Sequence, residues 1–203
     1  MLEKRIALTA LSSPTLYRNL AQRIKRGPIF IYPTDTIYGI GAVCSNNDAR
    51  DRIFRVKRRT GTEQLLLIAG KRECFNALDL IIPQRAEDLM ARFWPNKITV
   101  VLTKKDLTAT IGIRLSNHPF IKSLYQFLDE PLFSTSANLS STPYNGDPET
   151  IYKTFKFEVD FMIDAGVLAQ SPPSTVVAVA PDNSVTVLRE GVVSCAELES
   201  IKN

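Results

Sequence analysis

Hydrophobic and polar positions along this chain follow two spacings, which predict an alternation of helices and strands. Apolar residues three or four positions apart predict a helix after Ser13-Pro14 that Gly27 ends, and further helices over 47–58, 84–93 and about 121–128. Short apolar runs predict strands at 28–32, 65–68, 98–102, 111–114, 131–133, 161–163, 174–179 and 185–188. Helices and strands alternate first and strands dominate later, which favours an α/β domain with a mixed sheet.

Composition narrows this interpretation without assigning a function. The 203 residues are 44% hydrophobic and 23% charged, and they predict one domain over 1–203. Three scattered cysteines and one histidine argue against a zinc site and favour a reducing cytoplasm. We find neither a secretory leader nor an apolar run long enough to span a membrane. The net charge of +4 is compatible with nucleotides or RNA but does not indicate them.

Hydroxyl and amide side chains cluster where predicted strands end. The strongest cluster, 134–140, follows an apolar run, and Ser134, Ser136 and Asn138 alternate within it. Such groups donate hydrogen bonds to phosphate and carboxylate oxygens without adding a reactive nucleophile. If a helix or turn begins near them, its free backbone N–H groups would extend an anion site. The alternative is a set of helix caps.

The stretch 33–41 carries a second polar pattern. Period-two spacing predicts that Thr34, Thr36 and Tyr38 share one face, and Gly39 and Gly41 would let a ligand approach the backbone. The alternative is a β-turn stabilised by local side-chain caps.

A basic helix ends in Lys57-Arg58-Arg59, and Arg52, Arg55 and Arg59 share one of its faces. Three interpretations remain open: a solvated face, a triphosphate clamp, or an RNA-facing stripe. The common phosphate loop, dinucleotide fingerprint and nucleophile elbow are all missing from the sequence.

Seven motifs in this order resemble the YrdC-like threonylcarbamoyl-AMP synthases. They are Tyr32-Pro33-Thr34-Asp35-Thr36-Ile37-Tyr38-Gly39, Lys57-Arg58-Arg59, Phe93-Trp94-Pro95 with Thr99, Ile113-Arg114-Leu115-Ser116-Asn117-His118-Pro119, Ser134-Thr135-Ser136-Ala137-Asn138-Leu139-Ser140, Ser174-Thr175-Val176-Val177 and Leu188-Arg189-Glu190-Gly191. The resemblance covers about residues 28 to 191 and implies a YrdC-like twisted, mixed sheet with a concave basic face. It also implies the short, single-domain form that is typical of bacteria.

The resemblance implies a nucleotidyltransferase that condenses L-threonine, bicarbonate or CO2, and ATP with Mg2+ into threonylcarbamoyl-adenylate and pyrophosphate. The adenylate would pass to a downstream tRNA threonylcarbamoyl-transferase complex for N6-threonylcarbamoylation of tRNA adenosine 37. The implied location is cytoplasmic. Mg2+ would arrive with ATP, and no protein ligand for it is predicted.

The resemblance also implies roles for individual residues. The implied threonine pocket contains Thr34, Thr36, Tyr38, Arg114, Ser134 and Ser174, with Arg114 pairing the carboxylate. Lys57 and Arg59 are the implied catalytic cations, and the ATP region contains Lys57, Arg59, Glu63, Thr110, Ser136, Asn138, Tyr144 and Arg189.

Some positions depart from the family pattern. Thr60, Glu63 and Gln64 replace a Pro and an Asn-Pro pair, Ile68 replaces a histidine that can contact threonine, Asn96 replaces a glycine, and Ala178 replaces a frequent Asp. Two other functions remain open at this point: binding of double-stranded or ribosomal RNA without catalysis, and formation of a different carbamoyl-adenylate. The first would explain the basic stripe but not the hydroxyl cluster.

Overall fold

A computed structural model describes residues 4–58, 65–139, 142, 144–168 and 172–200 of the chain. In these ranges ten strands form one sheet. The strands are β1 (Arg5–Ala7), β2 (Phe30–Pro33), β3 (Tyr38–Val43), β4 (Leu66–Ala69), β5 (Ile98–Thr103), β6 (Thr110–Leu115), β7 (Leu132–Ser136), β8 (Phe161–Asp164), β9 (Thr175–Val179) and β10 (Val185–Arg189). The helices are α1 (Pro14–Ile24), α2 (Asn47–Val56), α3 (Gln84–Phe93), α4 (Pro119–Leu124), α5 (Pro148–Phe155) and α6 (Cys195–Glu199), with 3-10 turns at Leu8–Ala10 and Arg72–Leu78.

The sheet is mixed, as the alternation predicts. Its strand order is β1-β8-β2-β3-β7-β4-β6-β5-β9-β10. The β1–β8, β8–β2, β4–β6 and β5–β9 pairs are parallel, and the other five pairs are antiparallel. The predicted α/β class is therefore confirmed, while a basic character of the concave face stays a prediction.

Local sequence signals explain where several helices begin. The Ser13 hydroxyl accepts a hydrogen bond from the Leu16 amide at 3.4 Å, and Asn46 Oδ1 accepts one from the Ala49 amide at 2.9 Å. These side chains satisfy amide donors that the first helical turn leaves without an intrahelical partner. Gly27 follows α1 with φ of +86°, a conformation that favours glycine.

Two apolar cores pack against the sheet. The larger core joins α1, α3 and α4 to apolar residues from β2, β4, β5 and β6. The smaller core lies under α2 and α5 and is built on β2, β3 and β8. Among the described residues, no helix lines the cleft that opens over β4, β5, β6 and β9. The strand register places this cleft on the face of the sheet that carries Tyr32 and Gly39, opposite the smaller core. The functional candidates therefore meet on a part of the sheet that the helices leave uncovered.

Four elements were not predicted from the sequence: β1, β3, α5 and α6. The strand β3 contains two glycines, which weaken a strand signal. A Cβ on Gly41 would lie 2.3 Å from the Phe133 carbonyl oxygen, so only glycine fits this register. The helix α5 carries a readable signal, because Asp147 caps it and Pro148 is its first residue. The predicted stripe at 121–128 continues past the end of α4, which the structure places at Leu124.

Candidate functional site

A cleft of about 400 Å³ lies over the uncovered half of the sheet, and residues from seven strands and their loops line it. Strand alternation explains its composition. In β6, Thr110, Gly112 and Arg114 face the cleft, whereas Ile113 faces the opposite core. The polar lining residues are Thr34, Thr36, Thr99, Thr110, Arg114, Ser134, Thr135, Ser136, Ser174 and Arg189. Its apolar floor includes Leu66, Ile68, Val101, Val176 and Leu188.

Arg114 is the best-anchored cation of the cleft and is only 5% exposed. Its Nε donates to the Asn96 carbonyl at 3.0 Å and its NH1 group to the Thr36 hydroxyl at 3.3 Å. Its NH2 group donates to Asp35 Oδ2. These bonds use three of the five guanidinium donors, and within the described chain the other two have no protein partner. Arg114 therefore has donors left for a ligand carboxylate or phosphate.

A second cation lines the cleft at the end of β10. The NH2 group of Arg189 donates to the Ser174 carbonyl at 2.8 Å. The Ser174 hydroxyl lies 2.9 Å from that of Thr99. Burial lowers the pKa of Arg189, and the charge of Arg114 lowers it further. Two guanidinium groups thus act on one cleft, which favours anionic ligands.

Ser134 is held by a tyrosine on the same face of the sheet. The Tyr32 hydroxyl donates to Ser134 Oγ at 2.8 Å. Burial raises the pKa of Tyr32 well above its ordinary value, so this phenol stays protonated and remains a donor. Ser134 Oγ therefore accepts the hydrogen bond from Tyr32 and can donate its own proton to a different acceptor.

Lys57 lies beside the cleft but is not among its lining residues. It is 1% exposed. Its Nζ donates to the Ser136 carbonyl at 2.5 Å, to Asn138 Oδ1 at 3.1 Å and to the Asn138 carbonyl. In this conformation Lys57 organises the chain that leaves β7.

The structure places Tyr38 away from the cleft, so the predicted shared face of Thr34, Thr36 and Tyr38 is wrong for this residue. The Tyr38 hydroxyl donates to the Gly166 carbonyl at 2.7 Å, and its ring packs in the smaller core. The reason is that residues 34–37 form the β2–β3 hairpin loop, closed by a bond from the Thr34 amide to the Ile37 carbonyl. Strand alternation does not run through a loop.

Two predicted ATP contacts lie beside the lining residues. Asn138 donates through Nδ2 to the Leu139 carbonyl at 3.2 Å and accepts from Ser136 Oγ at 2.5 Å. The Tyr144 hydroxyl accepts from the Tyr38 amide at 2.8 Å. Both side chains tie down the segment after β7, and their roles toward ATP stay predictions.

Arg59 and Glu63, together with the departures Thr60 and Gln64, lie outside the described residues.

Within the described residues of the hydroxyl cluster, 134–139, no helix begins. Ser134 and Ser136 belong to β7, and the next helix along the described chain begins at Pro148 with Asp147 as its cap. A turn does follow the cluster, because the Thr142 amide donates to the Leu139 carbonyl at 3.1 Å, and a contribution of its backbone amides to an anion site stays a prediction. The hydroxyls reach the cleft through strand alternation.

The basic stripe on α2 is partly neutralised. Arg52 forms an ion pair with Asp160 at 3.1 Å, and Arg55 Nε donates to the Asp51 carbonyl at 3.5 Å. These contacts favour the interpretation of a solvated helix face over a free RNA-binding stripe.

Sequence reasoning missed the partners of Arg114. Asp35 lies between the two threonines that are predicted to bind the substrate, and its carboxylate lies against the guanidinium. Asn96 adopts φ of +89°, which explains why a glycine suits this position, and its Oδ1 accepts from the Asn117 amide at 2.9 Å. A buried arginine needs partners, but no spacing rule identifies residues that lie so far apart in the chain.

The lone histidine has a local role. His118 Nδ1 accepts from the Phe120 amide at 3.3 Å at the start of α4. Burial lowers the pKa of His118, although Asp35 partly opposes the shift. Within the described ranges, no three His, Cys, Asp or Glu side chains are grouped so that they could hold a metal ion. No helix in the described part of the chain is both long and apolar enough to cross a bilayer.

Comparison with known proteins identifies relatives over most of the chain. The sequence profile of the Sua5/YciO/YrdC family, described as "Telomere recombination", matches residues 22–191. A threonylcarbamoyl-AMP synthase of Pyrococcus abyssi is 29% identical over 186 residues, which cover 88% of this chain and 54% of that protein. A putative threonylcarbamoyl-AMP synthase of Methanocaldococcus jannaschii is 32% identical over 186 residues, covering 88% of this chain and 87% of that protein. The chain spans about half the length of the Pyrococcus abyssi and Bacillus subtilis synthases that it matches.

Solved structures agree with the sequence comparison. Sua5 of P. abyssi in complex with L-threonine superposes with a TM-score of 0.85 at 26% identity, covering 98% of this chain and 60% of that one. YciO of E. coli superposes with a TM-score of 0.82 at 24% identity, covering 97% of this chain and all of that one, and this likeness concerns the fold alone. By its sequence profile and its fold, the chain belongs to the Sua5/YciO/YrdC family.

Proposed function

We propose that the protein is a threonylcarbamoyl-AMP synthase. The observation that carries this proposal is Arg114, a buried guanidinium with two donors left for an anion, at the floor of a cleft lined by hydroxyls. A fork of this kind matches the carboxylate of an amino acid. The relatives named as threonylcarbamoyl-AMP synthases and the L-threonine complex of P. abyssi Sua5 support the same substrate.

The proposed reaction balances without an enzyme nucleophile. The amine of L-threonine combines with bicarbonate to form a carbamate and water. A carbamate oxygen then attacks the α-phosphorus of ATP, and the bond to the β-phosphate oxygen breaks. The products are threonylcarbamoyl-adenylate and pyrophosphate.

The main physical demand of this reaction is to bring anions together. A carboxylate, a carbamate and a triphosphate repel one another, and the repulsion is strongest where water is excluded. Arg114 and Arg189 offset that repulsion, while the hydroxyls of Thr36, Ser134 and Ser174 offer neutral donors for orientation. Thr110 and Ser136 line the same cleft and extend the proposed ATP region.

Mg2+ would enter with the nucleotide. The described side chains include no acidic group of three or more that could hold a metal, so the proposal places Mg2+ on the phosphates of ATP. Bound there, it would neutralise charge that develops as pyrophosphate leaves.

The product is an activated acyl donor, so the proposal includes an acceptor. We assign that role to tRNA adenosine, through a downstream threonylcarbamoyl-transferase complex, in the cytoplasm where ATP and tRNA are available. The proposal needs no direct RNA contact by this chain.

Mass spectrometry tests the proposal directly. Purified protein is incubated with ATP, Mg2+, L-threonine and 13C-bicarbonate, and the labelled adenylate and pyrophosphate are quantified. We expect product only when both threonine and bicarbonate are present. In Arg114→Gln, loss of about 3 kcal/mol of charge-assisted binding should lower turnover at low threonine by roughly 100-fold.

Arg50→Gln is the matched control, because Arg50 is an exposed arginine whose partner Asp51 is also exposed. It should retain wild-type turnover. Absence of the labelled adenylate from the wild-type reaction, with a working reference synthase alongside, would overturn the proposal.

A further inference from the structure

Asp35 places a negative charge against Arg114, a cation of a cleft that favours anions. Asp35 belongs to the hairpin loop between β2 and β3, and its Oδ2 accepts from Arg114 NH2. Its Oδ1 accepts from the Ser116 hydroxyl at 2.6 Å. The side chains of Arg114 and Asp35 are 6% and 11% exposed. Both carboxylate oxygens are thus engaged within the protein.

A negative charge at this position weakens the attraction of the cleft for anions. A buried ion pair is also weak support for folding, because desolvation cancels much of the attraction between the charges. Neither the affinity of the cleft for anions nor the free energy of folding therefore explains why a carboxylate occupies position 35. Its geometric effect remains, since it fixes the position of a cleft arginine that has donors left for a ligand.

Arg114 is held directly from two other chain segments. Asp35 and Thr36 come from the β2–β3 loop, and the Asn96 carbonyl comes from the segment after α3. Ser116, two residues after Arg114, orients Asp35 in turn. A free arginine side chain loses considerable rotamer entropy when it binds a ligand. An arginine fixed beforehand avoids that loss at the moment of binding.

We propose that Asp35, oriented by Ser116, is a positioning residue that holds Arg114 in place for the carboxylate of the amino-acid substrate. This inference rests on the proposed function and adds two residues to it. We assign Asp35 no contact with the substrate, because it is not among the residues that line the cleft.

Two other possible roles of Asp35 predict different changes in the binding of threonine and ATP. If Asp35 mattered only through its charge, removing that charge would tighten the binding of threonine and ATP alike. If Asp35 acted only by stabilising the fold, its loss would lower the melting temperature and weaken the binding of both substrates together. Positioning of Arg114 affects threonine alone.

Steady-state kinetics and melting temperatures of Asp35→Asn and Ser116→Ala test the inference. For Asp35→Asn we expect the KM for L-threonine to rise about tenfold, which corresponds to about 1.4 kcal/mol. The KM for ATP and the kcat should stay within about threefold of wild type. Ser116→Ala keeps the carboxylate and removes one of its two partners, so its KM for threonine should rise less, by about threefold.

Asp51→Asn serves as the matched control, since it removes a carboxylate that contacts an arginine on the exposed surface. It should change neither KM. An unchanged or lower KM for threonine in Asp35→Asn, or a parallel rise in both KM values, would overturn the inference. If Asp35→Asn does not fold, Ser116→Ala decides by the same criteria. A wild-type protein that makes no adenylate would instead overturn the proposed function.

Discussion

Replacing Lys57 by methionine tests whether this residue binds ATP or stabilises the end of β7. The resemblance implies that Lys57 binds ATP, whereas the structure surrounds its ammonium with oxygens of Ser136 and Asn138. Methionine keeps most of the apolar stem and removes the charge. If Lys57 organises the end of β7, the substitution destabilises the protein even when no nucleotide is present.

The contacts set the expected size of that loss. Hydrogen bonds from a charged donor contribute about 1.5–3 kcal/mol each, and buried carbonyls left without a donor cost about 1–3 kcal/mol. The oxygens involved are close neighbours, so these costs do not add fully. We expect a total of about 3 kcal/mol, which lowers the melting temperature of a chain of this size by roughly 6–12 °C.

Thermal unfolding followed by circular dichroism, without ligands, measures this loss. Lys153→Met is the control, because Lys153 lies on α5 with a side chain that is 69% exposed and pairs with Glu149. It should unfold within about 1 °C of wild type. A Lys57→Met protein that melts like wild type but fails to bind ATP would refute the structural role and favour direct phosphate binding.

Three further predictions follow from single contacts. In Gly112→Val the new Cβ lies at ordinary contact distances, the nearest being 3.4 Å from a methyl of Thr99. Scanning calorimetry should therefore show an unchanged or higher melting temperature. The valine side chain fills part of the cleft, so the adenylate assay should show a loss of turnover. Tyr32→Phe removes the bond to Ser134 and should cost about 1 kcal/mol, seen as a fall in melting temperature of about 3 °C. The lowered pKa of His118 means that the unfolded chain takes up a proton more readily. The stability from its neutral ring should therefore be present above pH of about 6.5 and be lost as pH falls toward the lower folded-state pKa. Melting temperatures between pH 8 and 5 should fall less in His118→Asn than in wild type, and equal slopes would contradict this.

Residue spacing and motif order are sufficient to predict the fold class, most elements and the chemical character of the site. Apolar spacing identifies α1 and α3 because each helix buries one stripe, as Leu20 and Ile24 do in α1. Apolar runs identify the buried strands for the same reason. The order of the hydroxyl-rich and basic motifs was enough to indicate the family, and Arg114, Ser134 and Ser174 do line one cleft.

Contacts between these side chains, in contrast, depend on how the chain folds in three dimensions. Tyr38 turns into the smaller core because a hairpin loop interrupts the alternation before it, and Lys57 turns toward the end of β7. Asp35 meets Arg114 because the β2–β3 loop reaches β6, although β3, β7 and β4 lie between β2 and β6 in the sheet. Periodicity describes one element at a time, whereas these contacts depend on how strands from distant parts of the chain are ordered in one sheet. The cleft itself exists because the described helices leave one part of the sheet uncovered, and that is a property of the assembled layers.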